Sequence, residues 1–277
     1  MSEVPWPVVM VFGAIGLYAL ACLHLFLTQY HKVYRVQKGG EGTPHDWGMD
    51  YESVTIDNQG KRLCAWWIPG SLERPVLLFC HGNGLTIHRL SKQVLFLRPL
   101  GVSILVFDYQ GYGYSDGKVS EAGILSDTAA VWHYLVEQRG IKGEDILVYG
   151  HSLGGGAATW LAARYPCAGI ILEGTFTSIP EVASDHYPWL PTHKLARIEF
   201  NNMANITRIR VPVFITHSTE DSIVPFYHAQ RLYTSAQAPK HLLPIQGRHY
   251  DAFVQFGSAG LNVLKEFFKI PDSPPNR

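Results

Sequence analysis

Polarity along the chain changes on three rhythms. Val8 to Leu27, VVMVFGAIGLYALACLHLFL, is an apolar run without a formal charge. About 20 helical residues span the roughly 30 Å hydrocarbon layer of a bilayer, so the run predicts a transmembrane helix. Further on, SVTI (Ser53 to Ile56) and RLCAWWI (Arg62 to Ile68), with Asn58-Gln59-Gly60 between them, predict an antiparallel hairpin. Six continuous apolar runs follow: PVLLFC (Pro75 to Cys80), SILVFD (Ser103 to Asp108), ILVYG (Ile146 to Gly150), AGIILEG (Ala168 to Gly174), VPVFITH (Val211 to His217) and HLLPIQG (His241 to Gly247). Runs this short and this continuous suit strands buried on both faces.

Helix-length segments lie between most of these strands: Thr86 to Leu97, Glu121 to Glu137, Leu153 to Arg164 and Phe226 to Ser235, with Asp251 to Phe268 closing the series. The alternation predicts an α/β fold, a mainly parallel sheet with helices on both faces. Thr175 to Asn205, with Pro180, Pro188 and Pro191, is far longer than a usual connection and predicts a small lid insertion. The chain thus divides into an anchor over residues 1–30, a glycine-rich juxtamembrane linker over 31–50 and a catalytic domain over 51–277, with the lid at about 175–205.

Composition narrows the function. Hydrophobic residues make up 47% of the 277 and charged residues 17%, a balance that supports a large packed core. Lysine plus arginine and aspartate plus glutamate both count 23, so no global positive field draws in nucleic acid, and none is expected as a partner. The four cysteines have no metal-ligand spacing and the histidines no HExxH pattern; no metal and no cofactor is expected. GYG at Gly111 to Gly113 lacks the full dinucleotide fingerprint and reads as a turn.

Two rival readings of the apolar run are weaker. A cleaved signal peptide ending at Ala19-Leu20-Ala21 lacks a basic start, and apolar sequence continues past the cut. A buried core helix would be unusually long for a soluble domain. Lys32, Arg35 and Lys38 follow the run and no lysine or arginine precedes it. The positive-inside rule therefore predicts a single-pass protein with its catalytic domain in the cytoplasm.

In an open parallel sheet, ligands gather at the carboxyl ends of the strands. The loops there carry HGNG, YQGYGYSDG, GHSLG, THSTEDSIVP and GRHYDAF. GHSLG, Gly150 to Gly154, matches GxSxG between a strand and a helix, the context in which a serine occupies a sharp turn above the sheet. A serine hydroxyl needs a base, and the base needs an orienting acid. The order serine, acid, histidine selects Ser152, Asp221 and His249, with Glu220 and Glu173 as rival acids and His81, His217, His228 and His241 as rival histidines. The backbone N–H of Leu153, and one from Asn83 or Gly84 in HGNG, are the candidate oxyanion donors.

HGNG, DYQGYGYSDG with Ser120-Glu121, GHSLGG, HYPWLP, EDSIVP and GRHYD, taken together, resemble the α/β-hydrolase superfamily from about Tyr51 to Phe268. More narrowly, the chain is similar to membrane-anchored serine hydrolases whose relatives include monoacylglycerol lipases and protein depalmitoylases. The depalmitoylating relatives carry a cysteine-rich, acylated amino terminus, whereas this chain has an apolar span and only Cys22 there. The resemblance implies an α/β-hydrolase fold with Ser152 as nucleophile, Asp221 as acid and His249 as base. The expected activity is hydrolysis of a carboxylic ester, with a small-molecule or lipid acyl substrate. A thioesterase, a serine peptidase and a binding protein without turnover remain the alternatives.

Overall fold

The computed structural model describes residues 5–71, 75–237, 239–250 and 252–271. An eight-stranded sheet forms its centre: β1 Glu52–Asn58, β2 Lys61–Ile68, β3 Val76–Cys80, β4 Ser103–Phe107, β5 Ile146–His151, β6 Gly169–Glu173, β7 Val213–Ser218 and β8 Lys240–Ile245. The order is β1-β2-β4-β3-β5-β6-β7-β8. β1 and β2 pair antiparallel, as do β2 and β4, and all later pairs are parallel.

Every residue of β3 to β7 is buried, which explains their continuous apolar composition. Alternate side chains feed two cores. Leu78, Leu105, Val148 and Ile170 face one layer of helices, and Leu77, Val106, Leu147 and Ile171 the other. β8 is an edge strand whose proline, Pro244, is exposed.

Ten α-helices accompany the sheet: α1 Trp6–Val33, α2 Ser91–Leu97, α3 Glu121–His133, α4 Gly154–Ala162, α5 Ile179–His186, α6 Thr192–Leu195, α7 Asn202–Ile206, α8 Tyr227–Ser235, α9 Ala252–Phe256 and α10 Ser258–Phe268, counted among the described residues. Two expected helices are broken. The stretch from Thr86 begins as a separate 3-10 turn, Ile87–Arg89, whose first N–H donates to the buried carboxylate of Asp108 at 2.9 Å. The closing helix divides at Gly257, whose φ of +70° interrupts helical geometry. Its expected first residue, Asp251, lies outside the described residues, as do residues 1–4 and 272–277 at the ends of the expected anchor and catalytic regions.

The lid interval folds into α5, α6 and α7. α1 runs three residues past the expected anchor, and the segment expected as a linker lies against the domain. Tyr34 and Met49 are buried, Gly39 N–H donates to Gly113 at 2.9 Å, and Trp47 packs edge-on to Trp66. α1 itself is long and apolar enough to cross a membrane, with a mean hydropathy of 2.2 and only 6% of its most apolar window buried.

Candidate active site

β3 lies at the centre of the strand order, with β4 added on one side and β5 on the other, so a crevice opens where their carboxyl ends diverge. Ser152 stands there, between the end of β5 and the start of α4, with φ of +50°. A side-chain-bearing residue in that region costs on the order of 1–3 kcal/mol, so neighbours must hold it. Its N–H donates to the Glu173 carbonyl at 2.8 Å, and its carbonyl accepts from Thr175 Oγ1 at 2.9 Å. The crowded glycines follow from close packing. A Cβ on Gly154 would strike the Cys80 carbonyl, and one on Gly150 would lie 2.6 Å from the Gly155 Cα.

Three loops bring three side chains into a row. Ser152 Oγ–H donates to His249 Nε2 at 2.9 Å, and His249 Nδ1–H donates to Asp221 Oδ2 at 2.6 Å. The other oxygen of Asp221 accepts the N–H groups of Ile223 and Val224 at 2.8 and 2.9 Å. Burial alone would raise the pKa of this carboxyl. Hydrogen bonds from His217 and His249, the charge of His249 and the Val224 N–H outweigh burial and hold it well below the usual carboxylate range.

The rival residues are used elsewhere. Glu220 caps the Gly247 N–H at 3.3 Å, and Glu173 bonds the Tyr149 hydroxyl. His81 donates through Nδ1 to the Gly82 carbonyl at 2.9 Å and is buried, which pushes it down to about 4. His228 pairs with Asp185 at 2.8 Å, and His241 stacks on Phe214 with ring centroids 5.2 Å apart.

Two further histidines support the row: His217, a rival base in the sequence, and His151, which the sequence reading did not single out. His217 donates to the Val224 carbonyl at 2.7 Å and sits 3.3 Å from Asp221 Oδ2, so it braces the turn that carries the acid. His151, the variable residue of GHSLG, lies buried beside the row, its ring centroid 5.8 Å from that of His249. Burial, reinforced by the positive charge that His249 would carry, pushes it down to about 3. The i, i+2 alternation of β5 places it on the face of Tyr149, a signal the motif pattern leaves unused.

Leu153 and Asn83 both line the cavity beside Ser152. Among the described hydrogen bonds, no carbonyl accepts from either backbone N–H. The Asn83 side chain is tied down, its Oδ1 accepting from the Arg35 N–H at 2.7 Å and the Tyr112 hydroxyl at 3.1 Å, which fixes the HGNG turn. The cavity measures about 500 Å³. Ser152 and His249 form its floor, Phe176, Ile179 and Val182 one side, and Leu25, Gln29, Lys32 and Arg35 the other. Among the described residues no group of three or more histidine, cysteine, aspartate or glutamate side chains could hold a metal ion.

Residues 72–205 match the family described as serine aminopeptidase, S33. An uncharacterized protein of Mycobacterium tuberculosis is 33% identical over 218 residues, which cover 77% of this chain and 78% of that one. The human alpha/beta hydrolase domain-containing protein 17B is 33% identical over 217 residues, covering 77% and 73%. Among solved structures, the Pyrococcus furiosus esterase Pf2001 superposes with a TM-score of 0.72 at 21% identity, covering 86% of this chain and 98% of that one.

Proposed function

The chain belongs to the α/β-hydrolase family, and from that premise we propose that it is a membrane-anchored serine hydrolase acting on carboxylic esters with a lipid-like acyl group. The observation that carries the reading is the continuous row Asp221–His249–Ser152, with bonds of 2.6 and 2.9 Å. In it, Ser152 Oγ attacks the acyl carbonyl while His249 Nε2 takes the hydroxyl proton. The Leu153 and Asn83 N–H groups receive the developing oxyanion. Collapse of the intermediate expels the alcohol, which leaves with the proton from His249. Water then repeats the sequence on the acyl-enzyme, releasing the acid and restoring the serine. Asp221, ionised and buried, keeps the Nδ1 proton in place so that Nε2 faces Ser152.

The family match to a serine aminopeptidase raises a second reading. An aminopeptidase must hold a cationic amino terminus, yet among the described residues lining the cavity there is no carboxylate. The charged groups there are Lys32 and Arg35. That lining favours an uncharged acyl group over a peptide amino terminus. A thioester would meet the same floor, so a panel of oxygen esters, thioesters and aminoacyl amides decides among them.

Anchoring rests on α1, whose 28 residues extend about 42 Å. Met10, Phe12 and Leu17 are each more than 60% exposed, an arrangement that suits lipid. Lys32, Arg35 and Lys38 after the span favour a single pass with the domain in the cytoplasm. An alkyl fluorophosphonate should label Ser152 in wild-type protein and not in Ser152→Ala. Equal labelling of both would remove the nucleophile.

A further inference from the structure

We propose that the C-terminal part of α1 is the outer wall of the acyl site, and that the substrate's acyl chain enters sideways from the bilayer between α1 and the lid. The proposal rests on the ester-hydrolase reading above and adds the substrate class: an acyl ester whose hydrocarbon chain resides in the membrane. α1 thereby becomes a binding element as well as an anchor.

α1 is exposed on most sides, but one stripe is covered. Cys22, Leu25, Gln29 and Val33 are buried or half-buried, while Leu23 and Leu27 are open. A spacing of three and four residues puts the covered positions on one face. The lid touches the helix along this side at successive levels. The Tyr18 and Trp189 rings lie 6.5 Å apart, and the Arg197 guanidinium sits 5.3 Å over the Phe26 ring. Gln29 acts as a latch: its Nε2 donates to the Leu195 carbonyl at 3.1 Å, and its Oε1 accepts the Arg197 N–H at 2.7 Å. Lys32 Nζ donates to the Tyr187 hydroxyl at 3.3 Å.

From Tyr18 to Lys32 is a rise of about 21 Å along a helix. If α1 crosses a bilayer with Tyr30 and Lys32 at its surface, the lid cannot stay outside it. Trp189, 58% exposed and packed beside Tyr18, then faces lipid. Between lid and helix, the cavity is walled by Leu25 and Val33 on one side and Ile179, Val182, Ala183 and Leu195 on the other, with Ser152 at its floor. The slot is mainly apolar, with Gln29 interrupting the α1 side between Leu25 and Val33, and Leu25 lies about 7.5 Å along the helix from Tyr30 toward the lipid. His31, Lys32 and Arg35 line the polar end, where the head of an ester would remain near water.

The test uses the full chain in phosphatidylcholine vesicles. Ser152→Ala protein is illuminated with a palmitoyl ester carrying a diazirine at the chain terminus, and the adducts are mapped. Adducts are expected on Leu25 or Val33 and on lid residues 179–195. Adducts confined to Leu23 and Leu27, the pattern left by free bilayer lipid, overturn the proposal. In the active protein, Leu25→Trp should lower the ratio of kcat/KM for a hexadecanoyl ester over a butanoyl ester by about tenfold, because the added ring fills the slot. Leu23→Trp, on the lipid side, should leave that ratio unchanged. An unaltered ratio in Leu25→Trp also overturns the proposal. If wild-type protein hydrolyses neither ester, the activity reading fails, while the adduct map still decides the route of entry.

Discussion

The floor and the roof of the cavity are held by different kinds of force. Ser152, Asp221 and His249 stand on loops at the ends of fully buried or paired strands, and each is fixed by short bonds to buried groups. The roof, made by α1 and the lid, is joined by a glutamine latch, ring contacts and an exposed lysine–tyrosine bond. Bonds of the latter kind are each worth about 1 kcal/mol or less in water. The difference teaches that the row Ser152, His249 and Asp221 is organised by the core, whereas the shape of the cavity above it depends on what surrounds the lid.

The sharpest way to break this contrast is at the floor. Ser152→Ala should lower turnover by roughly 10⁴ or more while leaving the thermal transition close to wild type, since alanine fills the same turn. Asp221→Asn should cost roughly 10⁴ by letting the imidazole take the wrong tautomer. Glu220→Gln, whose carboxylate only caps Gly247, should change turnover little. A more severe effect at Glu220 than at Asp221 would mean that the acid has been assigned one residue too late.

Stability against pH probes the floor at the next scale. His151 is buried and pushed down to about 3, against 6.5 for an ordinary histidine. Between those values the unfolded chain binds the proton and the folded chain does not, so stability falls as pH drops below the unfolded value. From pH 7 to pH 4 the loss from this residue should be about 3 kcal/mol. His151→Phe, neutral at every pH, should remove this share of the pH dependence of chemical unfolding in detergent and leave the share of the buried His81. An identical slope in the two proteins would mean that His151 takes its proton in the folded state.

The smallest expected effect belongs to the roof. Gln29→Ala removes two hydrogen bonds to the lid and should loosen it by about 1 kcal/mol, read as several-fold faster hydrogen exchange at the Arg197 amide. Exchange at the Ser152 amide, bonded to Glu173, should not move. Equal acceleration at both sites would show that floor and roof open as one unit.

What could be read from the sequence divides along the same line. All eight expected strands form: β3 to β7 were legible because burial on both faces leaves few polar positions, β1 and β2 followed from the hairpin signal, and β8, expected to be buried on both faces, is instead a half-exposed edge strand. The positions of Ser152, Asp221 and His249 followed from strand-end loops and chain order, and the structure brings these three together. His217 was visible only as a rival base, and the support from His151 was hidden, since a buried histidine has no distinguishing neighbours in sequence. The broken helix before Leu97 depends on Asp108, twenty-one residues from Ile87, and no local pattern encodes that bond. Least legible was the wall contributed by α1. Gln29 and Leu195 are 166 residues apart, and a helix of membrane length reads as an anchor whatever one of its faces touches.

Pro244 in the edge strand bears on assembly. Ile245 and Pro239 turn their carbonyls toward β7, where Thr219 and Val213 donate to them, so the intervening Pro244 presents its backbone to the open side. There it offers no N–H, and a second sheet trying to add a strand would lack a bond near the carboxyl end of the ladder. The same imino acid that shortens the list of donors by one therefore discourages these sheets from growing into one another when many copies crowd together.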